Sequence, residues 1–393
     1  MVGRGALLLF AGLLLGGATA AAQDTALVQG GIYQRPFLVS MGSTAVGGYA
    51  EGHANYLRTD GVGDGLSMEL RRFNIFLFSS VGHRLRFISE LEFEHGTEEI
   101  ALETALVDFV VTPSFVVRGG ILLPPIGAFN VNHDSPRYDF VERPLVSTEI
   151  IPATLSEIGF GAHGRLAPGG FTVSYDVYLT NGLGDGVILN PTGRTHLASG
   201  KSEERFAGDN NGSPAVSGRV AAQARGLGEV GLSYYGGIYN TWRIDGMTVD
   251  EKRRLSIVAV DFNTEIRGLA LRGEAAWAAI DIPEPLAEVL GERQWGVHLD
   301  ATLPVWRPRI RGLREPVVAV GLRVERVDLN RGTFSATGQK IFDEVDALTA
   351  SASFRPAPGT VFRLNYRRER ARDLIGNPAS TTAGFQAGFA TYF

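Results

Sequence analysis

Apolar and polar residues alternate with a period of two along most of this chain, and a period of 3.6 is scarce. The clearest run is 84–94. Leu85, Phe87, Ser89, Leu91 and Phe93 fall on one face, and Arg84, Arg86, Glu90, Glu92 and Glu94 on the other, with Ile88 as the exception. The pattern returns at 171–181, 215–225, 294–303 and 360–370, in runs of about ten residues, the length of a tilted membrane-crossing strand. Extended to weaker segments, the pattern predicts strands over 46–57, 68–80, 84–94, 100–111, 115–122, 157–165, 171–181, 215–225, 228–239, 254–264, 268–279, 294–303, 316–327, 346–355, 360–370 and 383–393.

The connections carry as much information as the runs. Short turns follow the even-numbered strands, as at 112–114, 226–227 and 356–359, and longer segments mostly follow the odd ones. The connection after the third run is unexpectedly short, and the one after the twelfth is longer, through Pro304, Pro308 and Gly312. Alternating short and long connections suit a barrel with one end in the periplasm and the other outside the cell, and a soluble sandwich has no reason for them. Two connections are much longer than the rest, 123–156 and 182–214. Loops of that size are usually functional or disordered. The expectation is an all-β transmembrane antiparallel barrel of about sixteen strands, with 123–156 a candidate to fold into the lumen.

The N-terminus changes where such a barrel would go. Arg4 is followed by an apolar run over 6–15 and then by small residues at 18–22. Ten apolar residues are too few for a membrane-spanning helix, so 1–22 is expected to be a removed signal peptide. Residues 23–45 would then form a periplasmic segment and 46–393 the barrel. No later stretch has the ~18 consecutive apolar residues of a membrane helix, so a membrane form must be a closed barrel. The last residues place Phe385, Ala387, Phe389, Thr391 and Phe393 on one face. Phe393 resembles the terminal signal read by the barrel assembly machinery of the outer membrane of Gram-negative bacteria. Lipids and that machinery are the expected partners.

Composition narrows the chemistry. Cysteine is absent, which excludes disulfides and thiolate metal sites, and the net charge of −5 gives no reason to expect nucleic acid as a partner. Lysine is confined to Lys201, Lys252 and Lys340. Gly159 to Gly164 match a dinucleotide fingerprint in spacing, but the turn Leu-Ala-Pro-Gly-Gly follows where a helix is required. Residues 60–65 hint at a calcium loop, but Val62 and Arg71 occupy positions that need oxygen ligands. The seven histidines lack a metal-binding spacing; His95, His133 and His163 are read as lumen or loop residues. No nucleophile motif is found, and neither enzyme activity nor a cofactor or metal is expected.

Candidate pore-lining residues are Arg84, Arg86, Glu90, Glu92, Arg219, Arg225, Arg272, Glu274, Asp300, Arg323, Glu325, Arg363, Arg367 and Glu369. Their mixed signs suggest a salt-bridged, water-filled wall. His133, Asp134, Arg137, Asp139, Glu142 and Arg143 are the candidates within the long loop, which carries more acid than base. An anion-selective eyelet would show an excess of fixed positive charge.

Several segments carry a family resemblance. Arg71-Arg72-Phe73 opens a strand, Leu123-Pro124-Pro125-Ile126-Gly127 follows a strand–turn–strand unit, and Phe140-Val141-Glu142-Arg143-Pro144-Leu145 lies inside the long loop. In these the chain resembles the phosphate-selective porin O and P family. Asp209-Asn210-Asn211, Gly218-Arg219-Val220 and Gly231-Leu232-Ser233-Tyr234-Tyr235 are similar in style. The resemblance implies a sixteen-stranded barrel, usually a homotrimer, that passes small solutes passively, with phosphate a candidate anion. The chain departs from the family's lysine-rich lumen, so it is the fold and the general porin role that carry over. The alternative is a plugged barrel with a binding or structural role.

Overall fold

The computed structural model describes residues 39–41, 43–201, 206–209 and 211–393. The expected signal peptide and most of 23–45 lie outside them. The described chain is a closed antiparallel barrel of sixteen strands. They are β1 (Thr44–Thr59), β2 (Ser67–Val81), β3 (Leu85–Glu94), β4 (Glu99–Thr112), β5 (Phe115–Leu122), β6 (Glu157–Leu166), β7 (Phe171–Thr180) and β8 (Ala215–Ala224). They continue as β9 (Gly228–Ile238), β10 (Arg254–Ile266), β11 (Leu269–Ile280), β12 (Arg293–Trp306), β13 (Val317–Asp328), β14 (Glu344–Ala357), β15 (Thr360–Arg372) and β16 (Ser380–Tyr392). Each strand pairs with its sequence neighbours. The seam closes between β16 and β1, with Phe385 opposite Tyr56 and Tyr392 opposite Tyr49. All sixteen expected strands are present, with ends displaced by a few residues. The expected barrel start at 46 moves to Thr44, and a short strand, Val39–Met41, folds back onto it.

Burial is inverted relative to a soluble protein. Large apolar side chains point outward, among them Val220, Leu232, Trp277, Leu322 and Leu364, while Arg219, Asp261, Arg323 and Asn365 are buried inside. In water this would be unstable; facing hydrocarbon outside and polar partners inside, it is the stable arrangement. The short turns gather at one end of the barrel and the long loops at the other. At the tight turn between β10 and β11, Arg267 and Gly268 both take positive φ (52° and 84°), which matches the twist of a two-residue hairpin. The seam depends on small residues. A Cβ on Gly48 would come within 2.6 Å of the Phe393 ring, which stacks on Phe73 at 5.2 Å.

The barrel interior is not uniformly wet. Residues Ile126, Val146, Ile150, Ile151 and Leu155 of one long loop pack against Leu183, Val187 and Leu197 of the other. Inward apolar residues of β8–β13, including Ile257, Ala276, Ile280 and Val327, complete this core. It fills the loop-end half of the lumen along that wall and leaves polar space on the opposite side, along β1–β4 and β15–β16.

Candidate functional site

The connection 123–156 runs from the loop end of β5 into the lumen, as expected, and ties itself to the wall on nearly every side. Asn130 holds its base: the amide donates to the carbonyls of Pro124 (2.8 Å) and Leu155 (3.1 Å), and its Oδ1 accepts from Leu155 N–H (2.8 Å). On β11, Glu274 accepts from Ala128 N–H (2.9 Å) and Ser147 Oγ (2.8 Å). On β13, Glu325 accepts from Leu145 N–H (2.8 Å), and Arg323 donates to the Glu142 carbonyl (2.7 Å). On β15, Arg363 donates to the Phe140 carbonyl (2.7 Å). At the tip, Asp139 pairs with Arg355 (3.0 Å), Asp134 accepts from Tyr392 Oη (2.7 Å), and Ser135 bonds Glu51.

The wall charges are mostly committed to one another. Arg323 makes a two-pronged pair with Asp300 (2.7 and 2.7 Å) and lies 4.4 Å from the Phe140 ring. Arg367 bridges Glu325 (2.7 Å) and Glu369 (2.9 Å). Arg219 lies between Asp261 and Glu229. Arg272 donates to the Arg137 carbonyl (3.2 Å). Bidentate and charge-assisted pairs of this kind are the strong ones, and they hold the lining rigid.

Two cavities flank the loop. The larger, about 1020 Å³, opens toward the long-loop end and is lined by charges of both signs, including Arg72, Glu92, Glu94, Arg143, Lys201 and Arg367. The smaller, about 630 Å³, opens at the short-turn end beside Thr172, Glu229, Asn263 and Arg272.

The expected lumen residues are therefore placed inside the barrel, with two exceptions. Arg84 and Arg225 sit exposed in turns, because β3 begins one residue after Arg84 and β8 ends one residue before Arg225. Glu90 and Glu92 are buried on the inner face of β3, and Arg86 is partly buried on the same strand. In the loop, His133 and Asp134 are buried, and Arg137, Asp139, Glu142 and Arg143 are partly buried.

Sequence reasoning missed other inner residues: Glu51, Arg72, Glu103, and the Asp108–Arg118 pair, beside which His163, read as a lumen or loop residue, is buried. Arg72 and Glu51 pair at 3.1 Å, and Arg118 clamps Asp108 at 2.7 and 2.8 Å. Asp108 and Arg118 alternate inward like their neighbours and could have been found from that pattern. Glu103 could not, because a register shift in β4 brings both Glu103 and Thr104 to the inside.

No family model matches the chain. An uncharacterized protein of Aquifex aeolicus is 36% identical over 146 residues, which is 35% of this chain and 32% of that relative, so the match spans about a third of the relative's length. Solved structures match over nearly the whole chain. The outer membrane channel DcaP of Acinetobacter baumannii superposes with a TM-score of 0.57 at 12% identity, covering 91% of this chain and 99% of that one. An anion-selective porin from Comamonas acidovorans gives 0.54 at 13% identity, covering 89% and 99%. OmpF of Salmonella typhi gives 0.55 at 12% identity, covering 89% and 97%. At such identities the likeness concerns architecture, and the chain has the sixteen-stranded barrel fold of the outer-membrane porins.

Proposed function

We propose that this protein is an outer-membrane porin of a Gram-negative bacterium, a passive and non-catalytic channel for small hydrophilic solutes. The observation that carries the reading is the pair of polar cavities, one at each end of the lumen, separated by a loop bonded to the wall on several sides. A loop so placed sets the width of the path, and the charges beside it set the ion preference. The larger cavity is lined by Glu92, Glu94, Glu99, Glu103, Glu142 and Glu369 against Arg71, Arg72, Arg143, Lys201 and Arg367, with His53 beside them. This near balance suits weak ion selectivity better than a phosphate-specific path, and zwitterions or neutral polar solutes fit it as well as anions. A signal peptide over 1–22, assembly through the Phe393 strand and a homotrimer are parts of the same proposal.

Single-channel recording in planar bilayers under a salt gradient tests it. Discrete conductance steps with a reversal potential near zero are expected. Block by added phosphate would restore the phosphate-specific reading. Folded, heat-modifiable protein that gives no steps would point instead to a plugged barrel with a binding or structural role, which the apolar core inside the lumen would then explain.

A further inference from the structure

His133 of the lumen loop meets the β3–β4 wall, and it does so beside two carboxylates. Its Nε2 lies 3.1 Å from Glu103 Oε2, and the ligand atoms of Glu90, Glu103 and His133 all fall within 4.8 Å of one another. All three side chains are buried, at 0%, 4% and 2% exposure. The other imidazole nitrogen, Nδ1, is 3.0 Å from the Asn130 carbonyl. A carbonyl oxygen only accepts, so Nδ1 carries the hydrogen and Nε2 is turned toward the carboxylates. Metal-bound histidines are oriented in this way, with the second nitrogen donating to a backbone carbonyl or carboxylate. Asn74 Nδ2, at 2.7 Å from Glu90 Oε1, likewise fixes one of the carboxylates.

A separate observation points to something between these groups. The Thr104 hydroxyl, directly across the strand pair from Glu90 and 1% exposed, has no hydrogen-bond partner, and neither does Oε1 of Glu103. Buried oxygens left without a donor are costly, and a cation among them would satisfy several at once. Glu103 also borders the larger cavity, so an ion has a way in from the long-loop end.

We infer that Glu90, Glu103 and His133 form a binding site for a divalent transition-metal ion that pins the lumen loop to the barrel wall. One imidazole and two carboxylates suit Zn²⁺, Mn²⁺ or Fe²⁺, with water or the Thr104 hydroxyl completing the shell. Ca²⁺, which takes six to eight oxygens, fits poorly. Ligand atoms around a four-coordinate ion with bonds of about 2.0–2.2 Å sit about 3.4 Å apart, so the His133–Glu103 pair, at 3.1 Å, must open slightly to admit the ion. The site holds whether or not the lumen conducts. The competing arrangement is a protonated His133 that donates from Nδ1 to the Asn130 carbonyl and from Nε2 to Glu103, a bridge with no metal.

The test uses the full chain purified in detergent, stripped with chelator and titrated with Co²⁺ and Zn²⁺. One equivalent of Co²⁺ per chain is expected, with visible absorption bands of nitrogen–oxygen coordination that Zn²⁺ bleaches. Glu103→Gln and His133→Gln should each weaken binding about tenfold or more. A Glu69→Gln variant serves as control. It alters the exposed His95–Glu69 pair (3.0 Å) and should leave the titration unchanged. Heat-modifiability shows that each variant is folded. Absent binding, or binding equally strong in folded Glu103→Gln and His133→Gln, would overturn the site and leave the protonated bridge. Loss of binding only in Glu69→Gln would place the ion at the barrel's rim and overturn it as well.

Discussion

Among the inner residues, Arg323 ties the β12–β13 wall to the loop. It is 1% exposed and holds Asp300, the Glu142 carbonyl and the Phe140 ring together. Arg323→Ala leaves Asp300 buried and uncompensated, and is expected to cost about 3 kcal/mol, the low end for a broken buried pair because the lumen is partly wet. Denaturant unfolding of the refolded barrel checks the magnitude. Asp300→Ala combined with Arg323→Ala should lose less than the sum of the two, since the stranded charge is then gone.

A second residue, in the other long loop, feels the charge of the first loop. His196 is half-buried in 181–214, with Nδ1 at 2.7 Å from Ser199 Oγ. Burial holds its imidazole below the ordinary value, against the pull of Glu149 from the neighbouring loop. Because the folded pKa is the lower one, the docked loop keeps its full stability above the unfolded value of about 6.5 and loses some as pH falls below it. Hydrogen exchange over 183–200, corrected for intrinsic rates, should be faster at pH 5 than at pH 7.5. Equal protection at both would contradict the assignment.

At the scale of elements, the strands obey a rule that sequence makes visible. Lipid demands apolar side chains at every second position, and a wet or salt-bridged lumen tolerates polar ones between them, so the period-two pattern survives in nearly every strand. Val220 lies near the middle of β8 and faces outward, 55% exposed. Val220→Arg should therefore cost about 2–4 kcal/mol in bilayer folding, whereas the exposed turn residue Arg84 should tolerate Leu within about 0.5 kcal/mol. Comparing unfolding of the two variants in liposomes decides the matter.

The same rule explains what the sequence hides. Where Ile257, Ala276 and Ile280 face inward onto the loops, both faces of a strand are apolar and the alternation no longer says which is which. The mixed charges of 123–156 likewise give no hint that Ile126, Val146 and Ile150 belong to a core within the lumen. The register shift at Glu103 is invisible to any period-two count. The loop's place in the barrel could be read from its length and position, but the wall residues that receive it are far away in sequence. Glu51, Ser233, Arg355 and Tyr392 could be assigned to it only once the barrel was closed.

For the whole molecule, the lumen is divided unequally. An apolar core blocks one side of the loop end and a charged cavity remains on the other, so the proposed porin's path is displaced from the barrel axis and runs beside β1–β4. Replacing 130–143 with a short Gly-Ser linker removes the wall-to-wall part of the loop but spares Ile150 and Ile151 of the core. Unitary conductance should rise by about twofold or more, as expected when a constriction that limits flow is removed. An unchanged conductance would mean that flow is limited elsewhere, or that the polar cavities are not part of a path.

The tip of the loop also bears on the order of events during assembly. Asp134 is bonded to Tyr392 on β16, and Ser135 to Glu51 on β1, so two adjacent residues from the first half of the chain brace the junction where its first and last strands meet. The bond to Glu51 needs only the first part of the chain, whereas the bond to Tyr392 waits for the final strand. In time, then, the segment becomes a latch: held first to the opening strand, it fastens the seam from within when the last strand arrives.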